Sequence, residues 1–330
     1  MTNSSGTNLD GGSRPGGRGA GTEPRNTTAG PADVPDTPGD SHDGGSPAVA
    51  RALPARQVLY WSVRRELWEH RWLYIAPLVV AGVIVLGSAA GAIRAPAGAA
   101  LLIMPGALNF AAGALMATYA IVAVIYCLEA LYGERRDRSI LLWKSLPVSD
   151  IGAVLAKAFV ALLALPLLTF ALTVVTQAVM LLTAGAVLAA TGMDAGALWT
   201  HLPVLPMWLA LLCHLIAVHS LYFAPVYGWL LLVSAWARRA PFLWATLPVA
   251  AVLIVEKLVL RTSVFAAMLE DRMAGGRAAI PFPMGNVLAR APTLASVERF
   301  LATPGLWIGL AIFAAFLAGA ARLRRYQGPI

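Results

Sequence analysis

The densest group of chemistry-bearing side chains in this sequence lies in residues 132–150, YGERRDRSILLWKSLPVSD. It opens with five consecutive charges: Glu134, Arg135, Arg136, Asp137 and Arg138. Ile140, Leu141, Leu142 and Trp143 follow, then Lys144, Ser145, Leu146 and Pro147. A charged cluster that turns into a short apolar helix is suited to non-covalent docking. Leu141 and Trp143 need burial, against a bilayer surface or in a partner's groove, while the charges around them set register. Pro147 ends such a helix, and Ser149 or Asp150 can cap the next one. The competing reading is a solvated loop whose basic residues only fix membrane topology.

Fewer titratable groups lie inside apolar stretches. His214 and His219 share one stretch, but five residues place them about 140° apart on an α-helix, which makes no common metal face. As polar positions they face a bundle interior. The sharper reading makes them a proton relay or part of a substrate path. Glu256 and Lys257 are adjacent and point apart near Arg261. They either snorkel to an interface or line the same path. Cys127 and Cys213 read as small buried hydrophobes. The three lysines, Lys144, Lys157 and Lys257, complete no GxxxxGK[ST] phosphate loop, and HExxH, GxSxG and CxxC are absent. The chain is therefore expected to carry no catalytic residue, metal or cofactor of its own.

The elements that position these groups are long. Hydrophobic residues make up 58% of the 330 and charged residues 13%, where a soluble domain carries about 25% charge. The excess forms uncharged blocks at 72–93, 105–131, 151–190, 205–235, 242–260 and 305–321. About 20 helical residues cross a hydrocarbon core, so the sequence predicts an all-α polytopic membrane protein with about six crossings spanning 72–321. The third block is long enough to raise a second possibility, two crossings, which would move the C-terminus to the outer side. We read it as one helix kinked at Pro166, with neighbouring helices satisfying the freed carbonyl and its first turns, with Lys157, projecting toward the cytoplasm. Segments on the inner side of a six-crossing plan hold 14 Lys or Arg in 57 residues, against 6 in 70 outside. That asymmetry puts both termini, including 322–330, in the cytoplasm.

Three further segments flank the crossings. Residues 1–50 have no apolar run and are expected to form a disordered cytoplasmic tail. Residues 51–71, with Trp61 and Trp68 next to Trp72, predict an interfacial amphipathic helix whose arginines reach lipid phosphates. Leu59, Val63 and Leu67 lie on a different face from the tryptophans, as in a helix that touches both lipid and protein or in a plain lead-in to the first crossing. The outer loop 261–304 contains IPFPMGNVLARAP, apolar enough for a re-entrant segment buried against protein. The net charge of +8 comes from arginines at block ends, a topology pattern rather than a nucleic-acid groove.

The run from Glu134 to Ser149, placed after a pair of apolar helices, resembles the permease subunits of type 2 ATP-binding-cassette (ABC) exporters. The resemblance implies a six-helix permease in a bacterial cytoplasmic (inner) membrane that pairs with a second copy or a related permease. It implies a separate cytoplasmic ABC ATPase subunit, which binds the ATP and magnesium this chain cannot. Residues 132–150 would be the coupling helix seated in that ATPase. Glu134, Arg135, Arg136, Asp137, Arg138, Leu141, Trp143, Lys144 and Pro147 would form the docking set. Residues 55–71 would match the family's interface helix and 262–304 its re-entrant outer helices. A secondary transporter or channel, and an intramembrane enzyme built on His214, His219, Glu256 and Lys257, are the competing classes.

Overall fold

Hydrocarbon offers the backbone no hydrogen-bond partner, so apolar blocks of this length resolve into helices. The computed structural model describes residues 55–96, 98–137, 149–273 and 294–326; nearly all of them are helical and none forms a strand. Helix α1 (Ala55–Glu69) leads into α2 (Trp72–Arg94). Helix α3 (Ala99–Ala130) runs on into a single turn, α4 (Tyr132–Arg136). Helix α5 (Asp150–Phe159) passes through a π-turn, Val160–Ala164, into α6 (Leu165–Ala190). After the short α7 (Gly196–His201), α8 (Val204–His214) continues as a π-helix, Leu215–Tyr222, and then as α9 (Ala224–Trp236). Helix α10 (Pro241–Val255) ends in a third π-segment, Glu256–Leu260. Helices α11 (Val264–Met273) and α12 (Leu294–Leu301) precede α13 (Pro304–Tyr326).

Six stretches among the described residues are long and apolar enough to cross a bilayer: Trp72–Arg94, Leu101–Arg136, Asp150–Ala190, Val204–Tyr222, Pro241–Leu260 and Pro304–Tyr326. The chain is an all-α polytopic membrane protein. With six alternating crossings, α1, the root of the 132–150 loop and the end of α13 meet at one end of the bundle, hereafter the loop end.

Two elements show how proline shapes the crossings. Residues Asp150–Ala190 form one continuous helix, about 60 Å long at 1.5 Å per residue, which is twice the hydrocarbon thickness. In the π-turn the Leu165 N–H donates to the carbonyl of Val160, five residues back. The next such bond would come from Pro166, which has no N–H. Its intended acceptor, the Ala161 carbonyl, instead receives the hydroxyl of Tyr119 on α3 at 3.2 Å. The fourth block, expected at 205–235, is interrupted: Val204–Tyr222 is itself long and apolar enough to cross, and α9 starts beyond a bend at Phe223, with Pro225 in its first turn. Pro225 again removes the N–H that would have carried the ladder through.

The core has two main clusters stacked along the bundle. At the loop end, Leu73, Tyr126, Leu131, Val154, Leu231 and Ala320 join α2, α3, α5, α9 and α13. Toward the far end, Leu108, Leu115, Leu181, Leu188 and Leu198 join α3, α6 and α7, with Ala81 of α2. Helix α10 is peripheral, its crossing window only 11% buried. Residues 1–50 and the IPFPMGNVLARAP segment lie outside the described residues, so the disordered tail and the re-entrant segment remain expectations from sequence.

A candidate functional site at the root of the 132–150 loop

Helix α4 is the described beginning of the loop, and it is bolted to α9. The Leu131 and Tyr132 N–H groups both donate to Ser234 Oγ, at 3.0 and 2.9 Å. Arg135 Nη1 donates to the carbonyls of Ala235 at 2.6 Å and Ala237 at 3.3 Å. These are carbonyls at the C-terminal end of α9, where a helix leaves acceptors unfilled and where a cation is favoured.

Glu134, one residue earlier, faces inward. Its Oε1 lies 3.1 Å from Lys157 Nζ and its Oε2 lies 3.1 Å from Arg324 Nη2. Lys157 is 1% exposed, and its ammonium also donates to Glu66 Oε1 at 2.7 Å. The Tyr126 hydroxyl donates to Glu66 Oε2 at 3.1 Å, and His70 Nδ1 stands 3.8 Å from the same oxygen. Arg324 Nε reaches Asp150 Oδ1 at 3.4 Å. One ion network thus joins α1, α3, α4, α5 and α13. Its three carboxylates and two cations nearly cancel, which is what makes burial tolerable; isolated, each charge would cost several kcal/mol. Burial raises the carboxyl pKa of Glu66, but Lys157 outweighs burial and holds it below its ordinary value.

Within the first turns of α5 the Lys157 side chain turns inward, where two carboxylates hold it inside the bundle. Glu66, Ser234 and Arg324 were missed because their partners are remote in sequence, 91 residues away for Glu66 and Lys157. The available signal was Lys157 itself, a cation inside an apolar block that requires a counter-ion.

Of the expected docking set, Arg135 is buried in the root and Glu134, half-buried, turns its carboxylate inward beside it. Arg136 and Asp137 are exposed, pair with each other at 3.0 Å, and Arg136 lies 3.6 Å from Glu129. Arg138, Leu141, Trp143, Lys144 and Pro147 lie outside the described residues. Ser149 caps α5, its Oγ accepting the Gly152 N–H at 3.0 Å.

The intramembrane candidates sort differently. His214 and His219 do share a face, with ring centroids 5.5 Å apart. The expected separation assumed an α-helix. In the π-helix that runs from Leu215 to Tyr222, residues five apart come into register. The His219 ring stacks on Phe223 and meets Tyr119 edge-on at 5.4 Å. Tyr227 donates to the Tyr119 hydroxyl at 3.1 Å, so a chain of titratable groups crosses between α3, the π-helix and α9. Glu256 and Lys257 are not brought together. The Glu256 carboxylate accepts the N–H groups of Phe265 at 2.7 Å and Ala266 at 3.0 Å, capping α11. Lys257 is exposed. An apolar cleft of about 320 Å³ beside Glu256 is walled by Ala251, Val252, Val255, Leu260 and Phe265. Among the described residues no three His, Cys, Asp or Glu side chains are placed to hold a metal.

No family model, curated protein or solved structure matches the chain.

Proposed function

We propose that this chain is the membrane-spanning permease subunit of an ATP-driven transporter of the type 2 ABC exporter kind. The observation that carries the reading is the root of the 132–150 loop. A loop that merely turned the chain around would leave its charges in water. Here Glu134 and Arg135 are committed to α5, α9 and α13, and Arg136 and Asp137 face outward. The first pair anchors the start of the segment to the bundle. The second, with Arg138, Leu141, Trp143, Lys144 and Pro147, would supply the contacts that a cytoplasmic ATPase subunit grips.

In this account the loop end is cytoplasmic and both termini lie on that side. A second permease copy completes the substrate path. The ATPase binds ATP and magnesium. When it closes, it moves the 132–150 segment, and the ion network transmits that movement to α1, α5 and α13 as one body.

The test uses the full chain in proteoliposomes with the P-loop ATPase that co-purifies with it, identified by its phosphate-loop sequence. Replacing Arg136 and Trp143 together by Ala should abolish permease-stimulated ATP hydrolysis while leaving the thermal unfolding of the membrane part unchanged. A double variant that retains full stimulation contradicts the docking surface.

The juxtaposed His214, His219, Tyr119 and Tyr227 favour one second reading, a proton-driven secondary transporter. Transport that follows an imposed proton gradient without ATP, and that fails in His219→Gln, would select it.

A further inference from the structure

Two neighbouring arginines on α1 have opposite circumstances. Arg65 is engaged: Nε and Nη2 donate to the two carboxylate oxygens of Glu69 at 2.8 and 3.1 Å. Arg64 has no acidic partner among the described residues. Its guanidinium instead lies over two indole rings, Trp61 at 5.2 Å and Trp68 at 5.5 Å. The rest of this outward face is Tyr60, Trp61 and Trp68, 59%, 56% and 67% exposed, with Arg71 exposed at its end. Trp61, Arg64 and Trp68 are spaced three and four residues apart on α1, which keeps them on one side of it, and Arg71 follows in the turn beyond its end.

The opposite face is fixed. Val63 and Leu67 pack on the core, and Glu66 is held by Lys157 and Tyr126. Helix α1 cannot roll to bury its tryptophans without breaking the ion network. It ends just before Trp72, where the first crossing begins, so its outward face sits where hydrocarbon gives way to headgroups. Indoles prefer that depth. A guanidinium shelved on aromatic rings keeps its N–H edge free, and that planar fork matches the oxygens of a phosphate.

The geometry points to a phospholipid site on α1, in which Arg64, held between Trp61 and Trp68, binds the headgroup phosphate of an anionic lipid and Arg71 adds a second charge. A lipid fits better than free phosphate because the exposed indoles and Tyr60 need acyl or glycerol surface to cover them. The inference rests on the membrane architecture and not on the ATPase reading, so either can fail alone.

The experiment is native mass spectrometry of the full chain equilibrated with equal amounts of phosphatidylglycerol and phosphatidylcholine. The native chain should retain phosphatidylglycerol preferentially. Arg64→Gln should cut that preference about fivefold, the effect of one basic residue at an anionic surface. Arg64→Lys, which keeps charge without the fork, should fall between. Arg65→Gln should match the native chain, and inorganic phosphate should not displace the lipid. An unchanged preference in Arg64→Gln, an equal loss in Arg65→Gln, or displacement by phosphate would overturn the site. An unfolding temperature equal to that of the native chain shows that each variant keeps the fold.

Discussion

Lys157 lies between Glu66 at 2.7 Å and Glu134 at 3.1 Å, with almost no contact with solvent. Removing one member of a buried pair strands the other charge, which costs about 3–5 kcal/mol, whereas replacing the pair by apolar groups is far milder. Lys157→Met should therefore lower stability by that order, and adding Glu66→Leu should recover part of it, read as unfolding temperature in detergent. Equal additive losses would contradict the coupling. The pH dependence has a definite sign. Because the folded pKa of Glu66 is depressed, its contribution is complete above the unfolded pKa and disappears as pH falls through the folded one. The stability gap between the native chain and Glu66→Gln should hold from neutral pH into the ordinary carboxylate range and shrink below it. A gap that widens with acid would refute the pairing. Tyr119 offers a third check. Tyr119→Phe orphans the Ala161 carbonyl and should cost about 1–3 kcal/mol. In a Pro166→Ala background the restored N–H reaches that carbonyl, and the same substitution should cost less.

At the scale of elements, close approach is carried by glycine. A Cβ on Gly228 of α9 would come within 2.7 Å of the Phe313 ring and 3.4 Å of the α13 backbone. The nearest atoms that a Cβ on Gly309 would meet belong to the Arg272 guanidinium, at 2.7 Å. Arg272 donates to the Tyr222 carbonyl at 2.8 Å and to that of Gly305 at 2.9 Å, but its guanidinium ends a long side chain that can shift, whereas the α13 backbone cannot. Gly228→Ala should thus separate α9 from α13 and lower the unfolding temperature more than Gly309→Ala, measured side by side. The reverse order would mean that α11 rather than the α9–α13 seam holds this region. Helix extents were largely legible in sequence, because hydropathy and length report them directly. The π-segments were not. The local composition of 215–222 gives no sign of a changed hydrogen-bond register, and that register alone reunites His214 with His219.

At the scale of the whole molecule, the even number of crossings was readable, and it gathers α1, the loop root and α13 at one end. What tied them together was not readable. Glu66, Glu134, Lys157 and Arg324 are scattered over the chain, and only tertiary packing makes them one network. The charged cluster at 134–138 looked like a uniform docking surface. The fold divides it, turning Glu134 and Arg135 inward and leaving Arg136 and Asp137 outside. The central claim is that the loop projects from this anchored root on the cytoplasmic side and is covered by an ATPase. It is tested most directly by thiol labelling of Trp143→Cys, in a chain whose Cys127 and Cys213 are replaced by Ala. In membrane vesicles the account predicts labelling from the cytoplasmic face only, with protection when the ATPase subunit is bound. Labelling from the opposite face would contradict it.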